Sequence, residues 1–337
     1  MTAVPLAGPT RPSRSPRPRS PLRRAGRLRR LPVRRVLCLL PLVLVAVVAV
    51  RNRRVLLDGV AQLGSADWRW LVAAAGATCL TWVAAAVTRQ GAVTQRLPRL
   101  RLLATQFAAG AANHLLPTGL GASAVNLRFM TVCGVPAARS SAALALYLLA
   151  EAVARVALLA ALLLSFPGAL HIGTLLPEGA VGPLAALVGG AVALAAGAVV
   201  AVRRWRRAVT SFLRTAYGEA RSVHARPARA LALWGGSLAF PVLQAAGLAA
   251  VGRALGLPVP PVHMMLAYLA ATVAVALVPT PGGIGSVEAA LVIALVATGA
   301  PAALATAVVL AYRVITVWAP MVPGAVTLGM LVRRKVI

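Results

Sequence analysis

The sequence predicts an all-α, polytopic transmembrane bundle of about eight helical segments, carrying two broken-helix, re-entrant hairpins in inverted orientation. Three observations lead there. Of 337 residues, 60% are hydrophobic and 12% charged, with a mean hydropathy of +0.83. Apolar runs near 36–50, 70–88, 140–166, 181–202, 230–251, 262–278 and 302–332 are apolar all round, and several reach the ~20 residues that cross ~30 Å of hydrocarbon. Two of the apolar stretches are broken by the same proline and glycine pattern. Strand-like alternation is absent, which argues against a membrane barrel.

Residues 1–31 are rich in Pro, Arg and Ser without an apolar period, so a disordered cytoplasmic tail is expected there, ahead of a membrane domain over 32–337. A cleaved signal peptide is the alternative; an uncleaved first span is favoured because no small-x-small site follows before Arg51. The net charge of +29 resembles a nucleic-acid signal until the arginines are located: eleven in residues 1–35, eight between Arg203 and Arg229, and Arg333, Arg334 and Lys335 at the end. No aromatic or Gly-rich reading element accompanies them. The distribution is the positive-inside pattern, with attraction to anionic lipid as its physical meaning, and no nucleic-acid partner is expected.

Sidedness follows from the same residues. With the tail and C-terminus cytoplasmic in a plasma membrane, 36–50 exits, 70–88 returns, and the loop with Arg89, Arg96, Arg99 and Arg101 lies inside. The connection 167–180, free of Lys and Arg, and 252–261, with Arg253 alone, fall outside; 203–229 falls inside. Residues 51–69 carry four arginines on the predicted outer side and disagree. An interfacial amphipathic helix is an alternative for that stretch.

The two interrupted stretches align. LLPTGLGASAVNLRFMTVCGVPAARSSAALALY (115–147) and LVPTPGGIGSVEAALVIALVATGAPAALATAVVLAY (277–312) both read apolar-apolar-Pro-Thr-x-x-Gly, then a short segment, then Gly-x-Pro-Ala-Ala, then eight residues and a Tyr. Pro117 matches Pro279, Gly121 matches Gly283, Gly134 matches Gly299, Pro136 matches Pro301 and Tyr147 matches Tyr312, with one three-residue gap. By the sidedness above the copies run antiparallel. Inverted repeats with interrupted helices are a transporter architecture, in which broken segments present backbone groups near the midplane.

The turn residues have separate tasks. Pro279 and Pro281, after Thr280, stop the incoming helix; Gly282, Gly283 and Gly285 permit positive φ; Ser286 is placed to cap the next helix. That helix, 285–298, spans only ~21 Å, and its N-terminus is a binding end for a phosphate or carboxylate. In the first copy Pro117, Thr118 and Gly121 take the corresponding places. A packed hairpin whose glycines merely allow close approach is the plainer reading.

Five ionisable residues fall where hydrocarbon is expected. Glu151 and Arg155 sit i, i+4 on one helix and are able to pair. Glu288 lies in the first turn of the 285–298 helix, where the dipole favours its charged form. Arg128 follows the first turn, with interfacial snorkelling as its plainer role. Arg313 has no acid at i±3 or i±4, so it needs Glu288, Glu151 or an anionic ligand. These residues form the candidate headgroup-binding set, and Arg313 is the first choice. Cys38, Cys79 and Cys133, like the four scattered histidines, lack metal or disulfide spacing.

With these residues in view, VPTPGGIGSVEAALVIALVATGAP…AYRVITVW together with LLPTGLGASAVNLRFM resembles the lysylphosphatidylglycerol synthase transmembrane region, a flippase-like integral membrane family. The resemblance covers about residues 33–335. It implies a plasma-membrane bundle that moves or handles lipids, and draws attention to Pro279, Pro281, Gly282, Gly283, Glu288 and Arg313, with Pro117, Gly121 and Arg128 in the first copy. The chain departs from the pattern between Ala122 and Asn126, and an aminoacyl-transferring domain is not expected, because it ends five residues beyond Val332. The leading expectation is a transporter of an anionic lipid or a polyprenyl-phosphate-type lipid. A membrane-embedded transferase with Glu288 or Glu151 as base, and a non-catalytic subunit that recruits a cytoplasmic partner through the tail, are the alternatives. No GxxxxGK[ST], HExxH or GxSxG occurs, and no cofactor is expected.

Overall fold

The computed structural model describes residues 66–115, 120–166, 203–277 and 285–334. The tail, the runs 36–50 and 181–202, most of 51–69, and the turn residues Pro117, Thr118, Pro279, Thr280, Pro281, Gly282 and Gly283 lie outside the described residues. Every described element is helical: α1 (Trp68–Gly91), α2 (Arg99–Leu115), α3 (Gly121–Val132), α4 (Ala137–Ser165), α5 (Arg203–His224), α6 (Pro227–Ala254), α7 (Pro261–Leu277), α8 (Ser286–Ala297) and α9 (Ala302–Arg333). Among the described residues, α1, α4, α6 and α9 are long and apolar enough to cross a membrane, while α7 and α8 are shorter apolar helices.

The two sequence copies fold alike down to single hydrogen bonds. α3 closes with Gly134 at φ +85°, where the Val135 N–H reaches Met130 O at 3.1 Å and the Gly134 N–H reaches Thr131 O at 3.1 Å. α8 closes with Gly299 at φ +93°, the Ala300 N–H on Leu295 O at 3.1 Å and the Gly299 N–H on Val296 O at 2.9 Å. Each is a Schellman close, which needs a left-handed residue and therefore glycine. The next residue but one is proline in both: Pro136 caps the start of α4 and Pro301 that of α9, where a fixed φ and a missing N–H are harmless. The three-residue gap falls inside the turn. α3 begins at Gly121 and α8 at Ser286, so these two are counterparts in the fold rather than Gly121 and Gly283.

Packing obeys the same two-fold relation. α1 and α6 form the central pair; α2 packs on α3 and on the second half of α9, as α7 packs on α8 and on α4. α1 and α6 are antiparallel, since Gly91 lies against Leu233, Gly236 against Thr88 and Ala84, and Gly247 against Ala74 and Ala77. Without a hydrophobic drive between helices in lipid, such close seams of small residues are what hold them together.

Two ends of the bundle can be told apart by contacts. At one, Arg139 pairs with Glu219 at 3.0 Å, Arg229 Nη1 donates to Gln90 O at 2.7 Å and Arg226 Nη1 to Thr94 O at 3.4 Å. This arginine-rich end gathers the α1–α2 loop, the start of α4 and the α5–α6 turn. At the opposite end the Asp67 N–H reaches Ala254 O at 3.0 Å and Arg253 lies over Trp70 at 5.3 Å. Hairpin α2–α3 therefore enters from the arginine-rich end and hairpin α7–α8 from the other, which is the inverted arrangement the repeats predict.

Two features depart from the sequence reading. Residues 203–224, expected only as part of an internal loop, form the amphipathic helix α5. α9 is not uniform: it widens into a π turn at Val314–Trp318, with the Ala319 N–H on Val314 O. Pro320 follows two residues after it. A proline lacks an N–H and its ring crowds the carbonyl four residues back, so the wider turn relieves the clash.

Candidate functional site

The interior charges sort into pairs. Arg313, at 8% exposure, donates from Nε to Glu288 Oε1 at 2.6 Å. The other oxygen, Oε2, accepts the Gly285 N–H at 2.6 Å. One carboxylate thus closes the N-terminus of α8 and holds it to the middle of α9. Gly285, at φ +91°, is the residue before the helix, and Ser286 is already helical. The capping task expected of Ser286 belongs to Glu288, in the back-reaching half of a capping box.

In the first copy the partner is different from the one the spacing suggested. Glu151 Oε1 accepts from Arg89 Nη1 of α1 at 2.7 Å, not from Arg155 one turn along α4. Arg89 is held further by Ala85 O at 3.2 Å and by the ring of Tyr147, 4.5 Å from the guanidinium carbon to the centroid. Tyr147 is 1% exposed, so this cation–π contact sits in a dry setting, where such contacts are strongest. Arg89, read from sequence as a cytoplasmic loop charge, is instead a half-buried residue of α1 held in an ion pair.

Arg155 is left over. Among the described residues it makes no ion pair, and its Nε is buried without a hydrogen-bond partner. The Arg89 Nε is also unpartnered, but that charge is met by Glu151. Arg155 and Arg313, from opposite copies, both lie within electrostatic reach of Tyr268 on α7. Tyr268 meets the repeat tyrosine Tyr312 edge to face at 6.3 Å, and the Tyr312 hydroxyl donates to Gln244 Oε1 at 2.6 Å. Of the three arginines named here (89, 155, 313), two meet a glutamate (151, 288) and Arg155 meets none among the described residues. A guanidinium presents a fork of N–H donors whose geometry suits an anion.

Arg128 stands apart. It is exposed on α3, a helix that packs on α2 and α4, whereas Glu288 and Arg313 belong to α8 and α9. The hairpins also differ in how they are closed. Gln106 Nε2 donates to Asn126 Oδ1 at 3.1 Å and Asn126 Nδ2 to Ala122 O at 2.8 Å, a neutral amide clasp, where the second hairpin uses a charge pair. Gly121 lies so close to Ala112 O that any Cβ would overlap the α2 backbone. A small cavity of about 40 Å³ lies between Trp82, Phe107, His114, Thr316, Pro320 and their neighbours, large enough for water and too small for a headgroup. Sequence reasoning named Arg155, Glu151, Glu288 and Arg313 but passed over Tyr268, Gln244 and Arg89. The available signal was the single tyrosine of α7 and the single glutamine of α6, two largely apolar helices.

Inverted hairpin repeats packed about a central antiparallel helix pair, with ionisable side chains inside an otherwise apolar shell, define a polytopic integral membrane protein. The description of the lysylphosphatidylglycerol synthase transmembrane region matches residues 35–324, and the chain belongs to that family. No curated protein sequence matches it.

Proposed function

We propose that the protein is a plasma-membrane transporter, or flippase, of an anionic lipid or polyprenyl-phosphate-type lipid, with its arginine-rich end in the cytoplasm. The guanidinium of Arg155, which has no ion-pair partner among the described residues and shares the electrostatic reach of Tyr268 with Arg313, carries this reading. A lone cation is expensive inside a bilayer, and a phosphate that neutralises it gains what the described residues do not supply. Only the headgroup needs a covered path, since acyl chains remain in lipid. Hairpins entering from opposite ends give the headgroup equivalent approaches from either leaflet, and rocking of one copy against the other exposes the site in turn. The arginine-rich end matches the leaflet that attracts basic side chains.

A transferase using Glu151 or Glu288 as base is less well supported, because each carboxylate is already engaged by an arginine at 2.6–2.7 Å. The experiment is lipid movement in vesicles reconstituted with the purified chain, using labelled phosphatidylglycerol and a labelled polyprenyl phosphate. Arg155→Ala removes a charge-assisted contact and is expected to slow movement roughly 10- to 100-fold without loss of folded protein. Unchanged movement in the variant overturns the proposal.

A further inference from the structure

α5 carries one apolar face that the described residues cover at one end only. Val223, in its last turn, is fully buried with Phe129, Tyr147 and Leu233 in a core shared by α3, α4 and α6. The same turns are tied down by Arg139–Glu219 at 3.0 Å and by the Trp234 indole N–H on His224 Nε2 at 3.0 Å. Three turns earlier, on the same helical face, Phe212 is 38% and Leu213 57% exposed, with Tyr217 at its border 72% exposed. The opposite face carries Arg207, Arg214 and Arg221, spaced by seven and all exposed. At 100° per residue they form one stripe.

A continuous apolar face that starts in the wall of a membrane bundle and runs beyond it meets the boundary between headgroups and acyl chains. Helices with aromatic and leucine residues on one side and arginines on the other lie in that plane. Charge decides the lipid. α5 holds six arginines and one glutamate over Arg203–His224, and that glutamate is already paired with Arg139. It also stands at the arginine-rich end of the bundle, where Arg226 and Arg229 add to the same field.

We propose that the first two-thirds of α5 is a surface anchor for anionic lipid: Phe212 and Leu213 insert at the headgroup boundary while Arg207 and Arg214 neutralise phosphates. This surface is separate from the interior site and stands without it.

The test uses the full chain with Cys38, Cys79 and Cys133 replaced by serine and a fluorophore on Leu213→Cys or Arg214→Cys, in vesicles with or without phosphatidylglycerol. The label at 213 is expected to be quenched by a nitroxide placed high on a lipid acyl chain and shielded from an aqueous quencher, and the label at 214 the reverse. Removing phosphatidylglycerol, or neutralising Arg207 and Arg214 as glutamines, should lower the inserted-to-free ratio at 213 by roughly fivefold per charge. Leu213→Glu, followed by a label at Phe212→Cys, should release the helix with unchanged thermal unfolding of the bundle. A label at 213 open to the aqueous quencher overturns the proposal. So does one shielded from both quenchers, which would mean a protein occupant, and so does insertion indifferent to phosphatidylglycerol.

Discussion

Removing the carboxylate of Glu288 separates what the Glu288–Arg313 pair does for stability from what the site does for transport. At 2.6 Å and an effective dielectric constant of about 20, the gross attraction is about 6 kcal/mol. Desolvation of two ions takes back most of it, so the intact pair is worth little net; a partner left alone in the interior is another matter. Glu288→Ala strands the Arg313 guanidinium at 8% exposure and opens the Gly285 N–H, and should cost about 3–5 kcal/mol. Glu288→Leu combined with Arg313→Met replaces both charges by apolar groups of similar bulk and should recover most of that loss. The assay is denaturant or thermal unfolding of the purified chain in one detergent and lipid mixture, for wild type, the single variant and the double variant. A single variant within about 1 kcal/mol of wild type would place the pair with surface ion pairs and refute the reasoning. So would a double variant no more stable than the single.

The glycines give further expectations. Gly121→Ala drives a Cβ into the carbonyl of Ala112 and should destabilise the first hairpin by about 2 kcal/mol or more, whereas Gly110→Ala on the same α2, where an added methyl meets nothing within 4 Å, should be neutral or gain up to about 1 kcal/mol. Unfolding midpoints of the two variants, compared directly, check this. Gly134→Ala and Gly299→Ala both place an L side chain at positive φ in open space, so each should cost about 1–2 kcal/mol and the two costs should match. Unequal losses beyond measurement error would contradict the equivalence of the two repeats.

The membrane class, the long spans and the repeat were legible because each rests on a local property: apolar length, or punctuation by Pro and Gly at fixed spacing. Gly134 and Gly299 illustrate this, since only glycine suits the left-handed close and the sequence shows both. The match of Gly121 to Gly283 was one turn of reasoning short, because an alignment cannot say on which side of a helix start its gap falls. The ion pairs were half legible. Glu288 was among the partners open to Arg313, but Glu151 had an acceptable local partner in Arg155, and spacing along one helix cannot reveal that Arg89, 62 residues away in sequence, outcompetes it. Position in a chain likewise could not move Arg89 from loop to interior, since one turn of α1 decides it. α5 was missed for a different reason. Its arginine count marked it as a cytoplasmic connection, and the apolar residues at 209, 212, 213, 216, 220 and 223, in helical register, were masked by the charge between them.

The account stands on Arg155 being the cation that an anionic lipid completes. The most direct measurement is a density map of the protein in a bilayer disc that contains phosphatidylglycerol, inspected between α4 and α7. A headgroup phosphate within hydrogen-bond distance of the Arg155 guanidinium, beside Tyr268, is the result the account predicts. A carboxylate of the chain itself neutralising Arg155, with lipid phosphates confined to the two surfaces, would contradict it.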